Sequence, residues 1–404
     1  GLEKNATTIR LAKMNLAVHG LEGDIQKAIT YYEDPHELLS KANFVMANPP
    51  FNVDEIDADK VGNDPRLPFG LPGVNKKGKV SNGNYVWISY FYSYLNEKGR
   101  AGFVMSSQAS SAGRDEARVR QKLVEIGDVD IMVAIRSNFF YTRTVPCELW
   151  FLNRDKPEAH RDKVLMIDAR NIYRKVTRKI YDFSPEQEQN LLAIVWLYRG
   201  ETQRYLDLVA GYCRSMLSEG AACFTKKEDN NEAVEPITGF IGALTSLRSS
   251  VEPFIKTLAR DAPHTEPLKE LDEVIQLFEA DVETFQLAVG ELHAAWETQK
   301  TTNGELKEAV DRLATLAETS RDLVKQVDLL YKLACRLIET CENDCNAKES
   351  DTWAGRDIIR ARKAADEARA LAAEQLKQVR YFWKQAHWLT ERFPEAEFRD
   401  VEGL

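Results

Sequence analysis

The stretch FVMANPPFN (44–52) places a short apolar run directly before two prolines. Similar apolar runs stand at 101–105 (AGFVM) and 129–135 (VDIMVAI), with helical patterns between them. The other elements predicted in this half are helices at 85–95 and 115–126 and strands at 147–152 and 164–167. Strands that alternate with helices predict an α/β domain around a mostly parallel sheet. Such sheets bind ligands at the carboxyl ends of their strands, so Asn48 is the first candidate for a site.

From about Ser184 the sequence pattern becomes helical throughout. Ser184-Pro185-Glu186-Gln187 is a capping box with proline at the first helical position. Gly, Pro and Asn gather at 226–240 and 261–267, which predicts loops there.

Two long segments, 306–341 and 358–389, repeat small or apolar residues with a spacing of four and three. Only Ser320 and Gln375 interrupt the two stripes, and a polar break at 343–351 separates them. A sustained period of about 3.5 residues is typical of a coiled-coil seam. We therefore predict a long antiparallel helical hairpin, about 50 Å in length, that serves assembly. Two amphipathic helices packed on a globular core are the alternative.

Composition and charge exclude several classes of protein. Hydrophobic residues make up 44% of the 404 residues, and no run approaches the roughly 20 apolar residues that a membrane helix needs. Six cysteines are too few for a disulfide framework, so we expect a reduced cytoplasmic setting, and without ligand spacing we assign no metal site. Residues 1–180 carry 27 Lys and Arg against 22 Asp and Glu, a net charge of +5. Because the whole chain has a net charge of −9, residues 181–404 carry a net charge of −14. The basic front half suits phosphates and the acidic rear half does not, although ordinary solvated surfaces are the alternative.

Asn48-Pro49-Pro50-Phe51 is the sharpest chemical signal. Two prolines fix φ near about −65° and remove two backbone donors. The Asn amide oxygen and the carbonyl of Pro49 then form a rigid pair of acceptors for an NH₂ group, and Phe51 offers an aromatic face. Such a pair favours methylation of a delocalised amine, because it holds both hydrogens and stabilises the positive charge that grows on nitrogen. A rigid turn without chemistry is the alternative.

A family resemblance rests on GLEKNATTIRLAKMNLAVHG (1–20), FVMANPPFN (44–52) and the stretch from GNYVWISYFYSYLNEKGRAGFVMSS (83–107) to SNFFYTRTVPCELWFLNRDK (137–156). Over most of residues 1–200 the chain resembles N6-adenine DNA methyltransferases, and more closely the modification subunit of type I restriction–modification systems. The resemblance implies a Rossmann-like S-adenosylmethionine-dependent methyltransferase sheet, followed by an all-α region. We accordingly expect a partial catalytic domain at 1–182, a helical region at 183–300 and the hairpin at 301–404.

The resemblance also implies roles on the base side of the site. Asn48 and the carbonyl of Pro49, fixed by Pro50, correspond to the acceptors for the N6 hydrogens of adenine. Phe51 corresponds to the residue that stacks on the flipped-out base. Phe139 and Phe140 correspond to the second aromatic contact on that base, with plain core packing as the alternative.

On the cofactor side, Glu3 corresponds to the acid that takes the ribose hydroxyls of S-adenosylmethionine, and an exposed terminal residue is the alternative. Asp24 and Asp34 are both candidates for the acid that contacts the cofactor adenine. The family's glycine-rich loop, of the aromatic-x-Gly-x-Gly type, precedes the position of Glu3. We therefore expect this chain to begin after the loop and its sheet to be incomplete, which leaves open whether it binds cofactor or is active.

The implied function is site-specific N6-methylation of adenine in double-stranded DNA, within a complex that contains a specificity subunit and a restriction subunit. No sequence-reading module stands out, so the recognised site would come from a partner. Methylation of glutamine amides in proteins is one alternative, and a non-catalytic helical scaffold or remnant is another.

Overall fold

The computed structural model describes residues 1–140, 144–225, 227–229 and 232–402. The chain folds into two units, Gly1–Gln187 and Glu188–Val401. The first combines a sheet with helices and the second is predominantly helical, so the mixed α/β character that the sequence predicts is confirmed. Within the described residues, no helix is both long and apolar enough to span a membrane.

The first unit alternates strands with helices. Its strands are β1 (Leu2–Glu3), β2 (Gln26–Lys27), β3 (Ala42–Ala47), β4 (Leu95–Ser106), β5 (Val129–Ile135), β6 (Cys147–Asn153), β7 (Leu165–Asp168), β8 (Arg174–Lys175) and β9 (Tyr181–Asp182). Its helices are α1 (Ala6–Val18), α2 (Ala58–Val61), α3 (Asn84–Tyr94), α4 (Gln108–Ser111) and α5 (Arg114–Glu125), and α6 (Pro185–Tyr198) begins at its end.

The main sheet has the strand order β3-β4-β6-β5-β7. β3 runs parallel to β4 and β5 parallel to β7, while β6 is antiparallel to both of its neighbours. All strands except β6 therefore point in the same direction. Their carboxyl ends share one edge of the sheet, which carries the segments that begin at Asn48, Ser107, Arg136 and Ala169.

The apolar runs locate the strands well, with one exception. β5 coincides with the predicted strand at 129–135, but β4 begins at Leu95 instead of residue 101. Gly99, a residue type that often follows the end of a helix, lies inside β4 at a register shift against β3. A Cβ on Gly99 would lie 2.8 Å from the carbonyl oxygen of Ala42, so the close approach of the two strands requires glycine.

β1 and β2 form a separate parallel pair, in which Leu2 lies opposite Gln26. Glu3 ends β1. β3 is an edge strand of the main sheet, and its Phe44 and Met46 are 76% and 90% exposed.

The core of the first unit lies between α3, α5 and the sheet. α3 is buried on nearly every face, which agrees with its aromatic-rich sequence NYVWISYFYSY. Its Tyr85, Ile88 and Phe91 join one cluster with residues of β4 and β6, among them Phe103 and Trp150. This packing fixes the start of α3 against the sheet edge that carries Asn48.

The second unit is a helical bundle. Its further helices are α7 (Thr202–Ala222), α8 (Pro236–Ile255), α9 (Thr265–Trp296), α10 (Asn303–Asp344) and α11 (Gly355–Arg392). Two short strands, β10 (Lys227–Asp229) and β11 (Glu232–Val234), pair antiparallel in the region predicted as a loop. α9 begins at Thr265, at the end of the second predicted loop.

α10 and α11 lie along each other, and their ion pairs run in opposite order along the two helices. Arg362 pairs with Glu339, Arg369 with Asp328 and Arg380 with Glu318. The two helices are not isolated, because α11 also packs on α7 and α8, and α10 also packs on α9.

The polar residues that interrupt the two stripes have partners. The hydroxyl of Ser320 donates to the carbonyl of Ala317 within α10, at 2.8 Å. The amide of Gln375 donates to the carbonyl of Glu219 on α7, at 2.9 Å. The Gln375 side of the α11 stripe therefore faces α7, in contact with a helix outside the predicted pair.

Candidate functional site

The Asn-Pro-Pro-Phe turn leaves the carboxyl end of β3, as the sequence predicts. Asn48 is exposed, Pro49 is buried and Pro50 is exposed. Within the part of the chain that the structure describes, the Asn48 side-chain amide makes no hydrogen bond. Two consecutive prolines hold the backbone rigid, so this amide is presented to solvent from a fixed support.

The chain directly after the turn is locked by a second asparagine. The backbone N–H of Asn52 donates to Oδ1 of Asn84 at 2.8 Å, and Nδ2 of Asn84 donates to Oδ1 of Asn52 at 2.9 Å. Asn52 has a φ of 56°, a left-handed conformation that asparagine tolerates better than most residues. Asn84 is 1% exposed and begins α3. The helix therefore fixes the position at which the turn ends.

Gly83 completes this lock, since its N–H donates to the carbonyl of Val53 at 2.7 Å. A Cβ at Gly83 would lie 2.8 Å from Cδ1 of Ile56 and 3.1 Å from the carbonyl oxygen of Val53. Asn82 adds a further hydrogen bond, from its Nδ2 to Oδ1 of Asn52 at 3.1 Å. The segment 82–84 is thus pressed directly against the residues that follow the turn.

A cavity of about 570 Å³ brings the turn and β1 together. Its lining includes Glu3 together with Asn48, Pro49 and Pro50, so two parts of the predicted site border one space. Phe51 is not among the lining residues. Its half-buried ring instead packs against the core cluster that contains Tyr85.

Three aromatic side chains form one wall of this cavity. The rings of Tyr31 and Trp87 lie 4.8 Å apart, and Trp87 stacks on Phe91 at 5.8 Å. Burial raises the pKa of Tyr31 to about 12, so this hydroxyl is neutral at physiological pH. The buried Tyr31 hydroxyl and the indole N–H of Trp87 have no hydrogen-bond partner within the described part of the chain. The wall therefore combines flat apolar faces with two unused polar atoms.

A buried arginine holds the cavity wall in place. The guanidinium of Arg66 donates to the carbonyls of Thr30 and Glu33, at 3.0 and 3.2 Å, and to the hydroxyl of Tyr94 at 3.0 Å. It also forms an ion pair with Asp64 at 2.7 Å. Burial acts to raise the pKa of the Asp64 carboxyl, but the hydrogen bonds and charge of Arg66 outweigh it and hold that pKa below its usual value.

Glu3 is half-buried at the rim of the cavity. Its Oε1 accepts the backbone N–H of Asn5 at 2.8 Å, and Asn5 in turn caps α1. Neither candidate for the adenine-binding acid lines the cavity. Asp24 is 68% exposed and pairs with His36 at 3.3 Å, and the Oδ1 atom of Asp34 is buried without a hydrogen-bond partner in the described chain.

Phe139 and Phe140 follow β5 at the same edge of the sheet as Asn48. They are half-buried, and Phe139 packs on Phe183 with ring centroids 4.7 Å apart. Neither ring lines the cavity that Glu3 and Asn48 share. The structure therefore places Phe139 and Phe140 at the same edge of the sheet as Asn48, but three strand positions away from β3.

Sequence reasoning missed three features of this edge: the Asn52–Asn84 lock, the wall formed by Tyr31 and Trp87, and a stack around Arg136. The Arg136 guanidinium carbon lies 3.9 Å from the ring centroid of Tyr173 and 4.1 Å from that of Tyr181. The interacting residues are far apart in sequence, so no local pattern reveals them. The one available signal was the crowding of asparagine and glycine at 82–84, directly before an aromatic helix.

Comparison with known proteins identifies relatives of the first half of the chain. Residues 1–219 match the protein family described as N-6 DNA Methylase. A type I restriction enzyme methylase subunit named MjaIX, from Methanocaldococcus jannaschii, is 39% identical over 183 residues, which are 44% of this chain and 32% of that protein. The HindI methylase subunit from Haemophilus influenzae is 30% identical over 221 residues, 54% of this chain and 48% of that protein.

The chain thus spans about a third to a half of the length of these curated relatives. A solved structure, the methyltransferase subunit of a type I restriction-modification system from Streptococcus thermophilus, is 24% identical. The matched region covers 48% of this chain and 40% of the Streptococcus thermophilus chain, with a TM-score of 0.42.

Proposed function

Because the chain belongs to the N-6 DNA methylase family, we propose that its first unit transfers a methyl group from S-adenosylmethionine to the N6 amine of adenine in DNA. One observation carries this proposal. The Asn48 amide is exposed and unpaired within the described chain, stands on a rigid proline turn and shares a cavity with the strand-end carboxylate of Glu3. The fold implied by the family, a Rossmann-like methyltransferase sheet, belongs to this proposal, and the parallel pairs β3–β4 and β5–β7 support it.

In this proposal Asn48 and Pro49 activate the amine. Oδ1 of Asn48 and the carbonyl oxygen of Pro49 accept the two N–H groups, which draws the nitrogen toward tetrahedral geometry and frees its lone pair. The same two dipoles stabilise the positive charge that develops on nitrogen, and the turn costs no reorganisation because its prolines are already fixed. No strong base is needed, since the proton leaves for water after transfer. When bound, S-adenosylmethionine supplies the electrophilic methyl group.

The cavity residues fit the cofactor by chemistry. A carboxylate such as that of Glu3 accepts hydrogen bonds from neighbouring ribose hydroxyls, and its bond to the N–H of Asn5 keeps it oriented. The aromatic wall of Tyr31, Trp87 and Phe91 offers flat faces for a planar ring.

The target base must leave the duplex, because N6 of a stacked adenine cannot reach the Asn48 turn. We assign Phe51, Phe139 and Phe140 to the contact with the flipped base. All three are half-buried, so a base would stack on the exposed part of each ring.

The partners follow from the same family. We propose that a specificity subunit selects the DNA site and that a restriction subunit joins for cleavage. The predicted division into residues 1–182, 183–300 and 301–404 belongs to this proposal, with the α10–α11 pair as the assembly element. The acidic charge of the second half speaks against a direct contact with DNA phosphates there.

The experiment compares two asparagines at opposite ends of β3. Asn43 lies near the amino end of β3 and pairs with Asn96 at 2.6 Å, whereas Asn48 lies just beyond its carboxyl end. In the full reading frame, purified with its specificity subunit, Asn48→Ala should lower methyl transfer by about 10²–10³-fold, and Asn43→Ala should retain parental activity. Near-parental turnover of the Asn48 variant would contradict the proposal.

A further inference from the structure

A small basic hairpin stands at the carboxyl end of β5, on the sheet edge that also carries Asn48. β8 and β9 pair antiparallel, with Arg174 opposite Asp182, and every residue from 173 to 179 is exposed. The hairpin carries the cations Arg174, Lys175, Arg178 and Lys179. Arg174 is neutralised by Asp182 at 2.7 Å, whereas the other three form no ion pair within the described chain. The tip therefore presents three unbalanced positive charges.

The tip has a fixed shape. The backbone N–H groups of Val176 and Thr177 donate to the carbonyl of Ile180, at 3.0 and 3.2 Å. The hydroxyl of Thr177 accepts the backbone N–H of Lys179 at 3.2 Å. These bonds hold Arg178 and Lys179 at the end of a closed turn, so less conformational entropy is lost when they bind a partner.

The base of the hairpin is fastened to the strand end of β5. The guanidinium of Arg136 lies between the rings of Tyr173 and Tyr181, which meet edge to face at 5.0 Å. The backbone N–H of Tyr181 donates to the carbonyl of Asn138 at 3.0 Å. A cation between two aromatic faces is a strong anchor, so the hairpin is held at the sheet edge that carries Asn48.

We propose that this hairpin binds the DNA backbone next to the flipped adenine, through Lys175, Arg178 and Lys179. The inference rests on the proposed function. β5 lies three strand spacings from β3, about 14 Å, which corresponds to about four base pairs along a duplex. Lysine and arginine at such a distance position the duplex by its phosphates and carry no sequence information. The hairpin thus orients DNA while the partner subunit selects the site.

The test is the salt dependence of DNA binding by the full protein with its specificity subunit. The hairpin variant Lys175→Gln/Arg178→Gln/Lys179→Gln is compared with a control, Lys98→Gln/Arg100→Gln/Lys163→Gln. The control removes three exposed cations near the amino ends of β4 and β7, at the opposite edge of the sheet. Binding is measured on a duplex with the target site and on one without it, from about 50 to 200 mM salt.

The hairpin variant should reduce the magnitude of the negative slope of log K for DNA binding against log salt by about 2.7 on both duplexes, and the control should leave the slope near the parental value. Melting temperatures of both variants should match the parent, since all six side chains are exposed. A parental slope in the hairpin variant would overturn the proposal. Loss of the specificity subunit from the purified complex, at an unchanged slope, would also overturn it and would assign the hairpin to a protein contact. Methyl transfer to adenine by the parental complex reports on the proposed function separately.

Discussion

Asn52 and Asn84 exchange two hydrogen bonds across 32 residues of sequence, at 2.8 and 2.9 Å. One of them stands four residues after Asn48, and the other begins a helix that is buried in the core. This pair connects the rigid turn to the most tightly packed part of the first unit. We therefore regard Asn84 as a positioning residue for Asn48.

Asn84→Ala should lower methyl transfer while the protein stays folded. The substitution leaves the backbone N–H of Asn52 without its partner, while Asn82 still donates to the amide oxygen of Asn52, and we expect a cost of about 1–3 kcal/mol of stability. Because the turn is displaced rather than removed, we expect kcat to fall more than KM rises. Steady-state kinetics measure this, with Asn96→Ala, at the far end of the sheet, as the control. Equal losses in both variants would contradict the positioning role.

Gly83→Ala should destabilise the first unit, since a Cβ there meets Ile56 and the carbonyl of Val53. Overpacking of this kind costs about 1–3 kcal/mol. Gly113→Ala is the matched control, because a Cβ at Gly113 has nothing within 4 Å and its φ is −98°. Thermal unfolding of the two variants tests the difference, and equal melting temperatures would show that residues 82–84 are not tightly held.

The Asp64–Arg66 pair should give the protein a pH-dependent contribution to stability. The folded-state pKa of Asp64 lies below its ordinary value, so the contribution is fully present above about pH 4 and is lost as the pH falls through the folded-state pKa. Asp64→Asn removes it. Denaturant titrations should therefore show the largest difference between variant and parent near neutral pH, and a shrinking difference below about pH 4. A difference that stays constant down to pH 2 would contradict this assignment.

Two adjacent alanines of α11 test the packing of the second unit. Ala365 is 0% exposed, whereas Ala364 is exposed. Ala365→Leu should cost about 1–3 kcal/mol, because no space is left for three further carbon atoms. Ala364→Leu should stay within about 0.5 kcal/mol of the parent. Urea unfolding measures both, and similar midpoints for the two variants would rule out the buried seam.

The sequence predicts those elements whose signal is local. β5 was placed correctly because VDIMVAI is apolar at every position except Asp130, and the turn at Asn48 was placed by the apolar run before it. The predicted strand at 101–105 is shorter than β4, because a glycine such as Gly99 usually indicates the end of an element. In this structure Gly99 instead allows β3 and β4 to approach closely. The role of a glycine depends on what lies opposite, which the sequence does not show.

The surroundings of α10 were predicted incompletely for a different reason. Ala309, Leu316, Leu323, Leu330 and Leu337 recur every seven residues and are buried, in addition to the stripe that begins at Leu306. Two stripes on one helix indicate contacts with more than one neighbour, and α10 indeed packs on both α9 and α11. This second stripe is present in the sequence, but the predicted hairpin accounted only for the stripe that begins at Leu306.

The candidate site was predicted from the turn and the strand ends, but not from its supports. The Asn52–Asn84 pair, the Arg66–Tyr94 contact and the Arg136 stack each join residues that lie at least 28 positions apart. Their partners are chosen by the topology of the sheet, which gathers the carboxyl ends of β3, β4, β5 and β7 at one edge. Local sequence patterns carry no record of such pairings.

The most direct test of the account identifies the atom that receives the methyl group. The full reading frame, purified with its specificity subunit, is incubated with methyl-labelled S-adenosylmethionine and its target duplex. The DNA is then digested, and the nucleosides are separated and identified by mass spectrometry. We expect label in N6-methyl-2′-deoxyadenosine from the DNA, and its loss in Asn48→Ala but not in Asn43→Ala. Label on a glutamine of the protein fraction, or on a DNA base other than adenine, would contradict it.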